Sequence, residues 1–141
     1  MKLLQKLGVL ICMLFTLSAI PVMAQTDNEV TFQAPFAFYA GDVAMPAGSY
    51  TLTSDDSTKV LFIHSKDGSH SALVEYELVD LDTPPSDTEI TFNKYGETDF
   101  LDGITVKGDE SKMRILTSRA EKDAAQASAV APHSVSSKGG R

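Results

Sequence analysis

The chain has 141 residues, a formal net charge of −7 from 12 basic against 19 acidic side chains, one cysteine and no tryptophan. That charge disfavours nucleic acids and anionic membrane surfaces as partners, and the length allows one domain with a single core.

Residues 1–24 have the order of a secretory signal. Lys2 and Lys6 form the charged start, 7–20 the apolar stretch, and Val22-Met23-Ala24 the cleavage zone, with the cut expected before Gln25. The apolar stretch is shorter than the roughly 20 residues that a spanning helix needs, so the expectation is a cleaved leader and not a membrane anchor. Cys12 leaves with it, as do two of the basic residues, so 10 basic and 19 acidic side chains remain. A cysteine-free chain exported to an oxidising compartment, secreted or periplasmic, must be held by burial and strand pairing.

From 30 to 40, Val30, Phe32, Ala34, Phe36, Phe38 and Ala40 alternate with less apolar residues, the period of a strand with one buried face. Pro35 cannot donate to a ladder, so this strand either lies at an edge or breaks there and passes from one sheet to another. Gly41-Asp42 and Met45-Pro46-Ala47-Gly48 read as turns, followed by a strand at 49–53, a turn at 54–57 and a strand at 60–65. Lys66-Asp67-Gly68-Ser69 is the strongest hairpin signal, with Asp67-Gly68 expected to form a two-residue type I′ loop. That register sets Ser65 opposite His70, Ile63 opposite Ala72 and Leu61 opposite Val74, with Tyr76 and Leu78 continuing the core face.

The segment 80–87, with Pro84-Pro85, is a loop. Strands are expected at 88–94, at 100–107 across a bulge at Gly103, and at 112–117. Ser118-Arg119-Ala120-Glu121 has the spacing of a capping box, which predicts a short helix at 118–128. The tail 129–141, rich in Ser, Gly, Ala and Pro, is expected to be disordered. Together these elements predict an all-β domain over 28–118, a single antiparallel β-sandwich of about seven short strands with a short C-terminal helix. A small β-barrel is the alternative.

No catalytic residue, cofactor-binding residue or metal ligand is singled out. The imidazoles are His64, His70 and His133, the last in the expected tail, and neither strand histidine adjoins a glycine-flanked serine elbow. His64 and His70 could supply half of a zinc site, but in the two-residue hairpin they project from opposite faces. A three-residue loop would bring them together. The acidic groups Asp55-Asp56, Asp80-Asp82-Asp87 and Asp109-Glu110 fit no calcium-loop spacing and read as turn residues. Tyr39, Tyr95 and Phe62 are the aromatic residues expected at the surface, a thin platform for a sugar.

The segments Ala34-Pro35-Phe36-Ala37-Phe38, Met45-Pro46-Ala47-Gly48-Ser49-Tyr50-Thr51, Phe92-Asn93-Lys94-Tyr95-Gly96 and Ser118-Arg119-Ala120-Glu121 occur in that order. In this the chain resembles a group of small exported bacterial proteins of unknown function, over roughly residues 28–125. The Pro-Ala-Gly-x-Tyr element is its most specific part. The resemblance implies a β-sandwich and carries no activity. The functional expectation is an exported non-catalytic binding or structural module of the cell envelope, its partner an envelope protein or a glycan. The rival readings are a hydrolase whose site assembles only in the fold, and a weak metal-binding protein.

Overall fold

The computed structural model describes residues 29–137; the expected signal and its cleavage point, and the last four residues of the expected tail, lie outside the described residues. The alternating segment at the start does break at its proline. Glu29–Ala34 is β1 and Phe38–Ala40 is β2, the second turning through Gly41 into a three-residue β3, Val43–Met45. Then come β4 (Gly48–Asp55), β5 (Val60–Ser65), β6 (Ser71–Asp80), β7 (Glu89–Tyr95), β8 (Thr98–Thr105), β9 (Ser111–Ile115), a helix α1 (Arg119–Ala127) and β10 (Val130–Ser136).

The architecture is all-β with a short helix near the C-terminus, as the alternation predicts, but with ten strands among the described residues where about seven were expected. The surplus has three sources: the split at Pro35, the short β3 in a segment read as turns, and β10 in a segment read as disordered. β10 pairs along its whole length with β7, and its Pro132 is tolerated at this edge of the sheet. A polar, flexible composition is overridden here by a ready partner edge.

Neighbouring strands run β1-β4-β5-β6-β9-β8, and β8 also carries β7 on one edge and a single parallel link to β2, Tyr39 with Phe100, on the other. The sheet bends into two facing halves around one core, giving a sandwich-like body. Strand β6 serves both halves on one side, pairing with β5 and with β9. On the other side an isolated bridge between Phe32 and Ser137 brings β1 against the end of β10, so the sheet nearly closes on itself.

The core is aromatic. Phe32, Phe38 and Phe92 are buried, and Phe92 meets Phe32, Phe36 and Phe38 at centroid distances of 6.3, 5.1 and 5.3 Å, tilted or edge to face, the arrangements ring quadrupoles favour. Tyr50 is buried beside Phe32 and Phe38, and its hydroxyl donates back to the Pro46 carbonyl. The Pro-Ala-Gly-x-Tyr element is thus a turn fastened to the core by its own tyrosine.

The β5–β6 register is the one the turn chemistry predicts, with Leu61 opposite Val74 and Ile63 opposite Ala72. The turn itself differs. Gly68 N donates to the Ser65 carbonyl at 2.9 Å and Ser65 N to the His70 carbonyl at 2.8 Å, so the loop is the four residues 66–69. Gly68 has φ +75° and Asp67 is not in the left-handed region, whereas type I′ needs positive φ at both central residues. A four-residue loop keeps the parity of a two-residue one, which is why the register survives. The core face also ends earlier than expected, since Leu78 is 46% exposed where β6 runs past β5.

Gly103 does sit at a bulge: Phe92 pairs with Leu101 but Thr91 with Gly103, leaving Asp102 unpaired on the strand. A side chain at Gly103 would stand 2.7 Å from the Met113 carbonyl.

Candidate functional site

Among the described residues, four of the places that gather polar groups or open surface bear on function. The first is a cleft of about 380 Å³ between the Pro46–Tyr50 turn and the β5–β6 hairpin. Asp67 organises its rim, accepting hydrogen bonds from Ser69 Oγ (2.6 Å), Ser65 Oγ (2.7 Å) and Ser69 N (3.0 Å). These donors, the Ser69 hydroxyl foremost, hold the Asp67 carboxyl far below the usual carboxylate range. Ser69 Oγ also lies 2.8 Å from His70 Nδ1. A serine, a histidine and an aspartate are therefore in contact, but in the wrong order for nucleophilic catalysis. The acid bonds the serine, whereas a triad needs it behind the imidazole, orienting the base. Asp67 acts here as a loop cap.

The second is a cleft of about 230 Å³ lined by the apolar Val30, Val106 and Met113 and the acidic Glu29, Asp56 and Asp109. Asp56 accepts from the Tyr76 hydroxyl at 2.9 Å, and the Lys59 ammonium lies 5.9 Å over the Tyr76 ring. All three carboxylates are exposed. A general acid needs a carboxyl shielded from water, and none of these is shielded.

The third is a polar network under α1. Asp102 accepts from Thr91 Oγ1 (3.1 Å), Asn93 Nδ2 (3.2 Å) and Lys112 Nζ (3.0 Å), while the buried Glu121 accepts from Asn93 (3.3 Å) and Tyr95 (3.2 Å). Ser118 caps the helix as predicted, its Oγ accepting from Glu121 N at 3.1 Å. The reciprocal half of the capping box is replaced, because the Glu121 carboxylate points into the sheet and pins the helix to β7.

The fourth is the outer face of β4, β5 and β6. Phe62 (40% exposed) and Leu73 (67% exposed) are cross-strand partners there, beside a shallow groove of about 540 Å³ that Val60, Thr53 and His64 also line. The His64 ring stacks on Phe62 at 5.2 Å, and its buried Nδ1 has no hydrogen-bond partner. Tyr39 and Tyr95, also expected at the surface, are partly exposed and flank Phe100 at 5.2 and 5.8 Å.

The structure does not bring His64 and His70 together. His64 lies on the outer face opposite Ser71, while His70 sits beyond the ladder with Ser69. Among the described residues no three of His, Cys, Asp and Glu are grouped to hold a metal ion, and no helix is long and apolar enough to cross a membrane. His133, assigned by sequence to a disordered tail, lies instead in β10, where Nε2 contacts Asp99 Oδ1. Nothing in the local sequence marks that pair, since its members are 34 positions apart. Comparison with protein-family models, with curated proteins and with solved structures finds no match to this chain in any of the three.

Proposed function

We propose that this chain is exported, cleaved after Ala24, and acts in the periplasm or outside the cell as a non-catalytic binding or structural module of the cell envelope. The observation that carries the reading is the exposed pair Phe62 and Leu73 over its groove. Two large apolar side chains side by side offer a contiguous apolar surface from which a partner would displace water. An envelope protein is the favoured partner, since Leu73 offers no ring for a sugar to stack on. The resemblance to small exported proteins of unknown function supports the export.

The test is a pull-down of envelope components with the processed domain, alongside a Phe62→Ser, Leu73→Ser double variant. The expected result is a specific protein retained by the wild type, lost with the variant, and protecting 60–64 and 72–74 from amide exchange. Retention unaffected by the double change overturns the choice of face. Mass spectrometry of the native protein checks export: an N-terminus at Gln25 is expected, and a retained residue 1–24 segment overturns it.

A further inference from the structure

We propose that His133 and Asp99 form a protonation-controlled latch that holds β10 against β7. Asp99 projects from β8 into the interior and is only 4% exposed, and its carboxylate meets the His133 imidazole. The ring of His133 is clamped between Phe92, stacked at 5.7 Å, and the edge of Phe36 at 5.0 Å. A carboxylate taken out of water among phenyl rings is costly unless a counter-charge is supplied, and breaking such a pair leaves the charge uncompensated. With the imidazole protonated, Asp99 faces a cation; with it neutral, the same carboxylate keeps one uncharged donor. Charge-assisted bonds are about twice as strong, so the grip on β10 follows the proton.

Little else holds the strand by its side chains. Val130 is half exposed, Ala131 and Pro132 are exposed, and Val135 is only partly buried. The remaining ties are the seven-residue ladder to β7, the Ser134 hydroxyl on Glu89, and Ser137, whose N donates to Thr88 O and whose Oγ donates to Thr31 O. The charged groups facing the latch are few. β10 carries no other ionisable side chain; β8 contributes Asp99; the 35–37 link contributes only Phe36. β7 contributes Lys94, register partner of both Asp99 and Ala131, and Glu89 at the far end. Among the described residues Lys94 makes no ion pair with Asp99, and the imidazole is the group in direct contact with the carboxylate. Release of β10 would bare seven residues of β7, an edge able to accept an extended strand.

Amide-exchange protection factors of the whole protein, corrected for intrinsic rates, test this at pH 5.5 and pH 8. The expected result is a fall of about five- to tenfold for residues 130–136 at the higher pH, with 61–64 and 72–76 unchanged. His133→Gln, which keeps a neutral donor on a half-exposed strand, should abolish the pH dependence, as should Asp99→Asn. Protection of β10 that does not change with pH in the wild type overturns the latch. So does a pH dependence that survives His133→Gln, which would belong to His64 or His70.

Discussion

Among the described residues Asp99 and Glu121 are the two carboxylates driven deepest into this protein, and each is matched to partners from a distant part of the chain. Glu121→Ala leaves the Tyr95 hydroxyl without this acceptor and Asn93 with Asp102 alone, and should cost about 1–3 kcal/mol, read from urea unfolding, while Glu121→Gln should recover part of it. Gly103 is constrained by space and not by φ: an added Cβ would meet Lys112 Cε at 2.4 Å and the Met113 carbonyl at 2.7 Å. The lysine stem can move aside but the carbonyl cannot, so Gly103→Ala should destabilise by about 1–3 kcal/mol by the same measurement. The divergent placement of His64 and His70 predicts that micromolar zinc leaves the melting temperature unchanged, since a preformed site would raise it by mass action. A rise abolished by changing both to Ala would contradict that placement.

At the scale of elements, the β5–β6 hairpin shows how far local chemistry reaches. Its register follows from alternation, because a slip by one residue would turn Leu61, Ile63, Ala72 and Val74 outward. Its loop is decided by Asp67, which gathers Ser65 and Ser69 around itself and leaves Gly68 alone in the left-handed region. The folded carboxyl of Asp67 lies below its ordinary value, so its contribution is complete above about pH 4 and lost as pH falls toward the folded value. Asp67→Ala should accordingly lower the melting temperature at pH 7 and shrink the difference between pH 7 and pH 3. The helix is equally local at its start, where Ser118→Ala should cost about 1 kcal/mol. Its docking is not local, because it depends on Glu121 reaching residues of β7 that lie 26 and 28 positions earlier.

Taken as a whole, the molecule is a sheet that nearly closes over aromatic rings, with buried tyrosines among the groups around that core. Burial, then the hydrogen bond to Asp56, pushes the Tyr76 hydroxyl up to about 12 from 10.0. The folded state therefore holds this proton more tightly than the unfolded one, so stability is full below pH 10 and declines as pH rises toward about 12. Tyr76→Phe should flatten that alkaline decline, measured as the unfolding midpoint in urea against pH, and Tyr50 and Tyr95, also raised by burial, contribute in the same direction. The all-β class, the β5–β6 register, the Ser118 cap and, as one of two alternatives, the break at Pro35 were legible in the sequence, since each rests on residues within a few positions of one another. Two-residue alternation and side-chain capping act at that range. The three-residue β3, the capture of β10, the exposure of Leu78 and the pairing of His133 with Asp99 were decided only by tertiary structure. A short or polar segment becomes a strand when a partner edge lies beside it, and a charge can be buried only where a distant residue is brought within reach to compensate it.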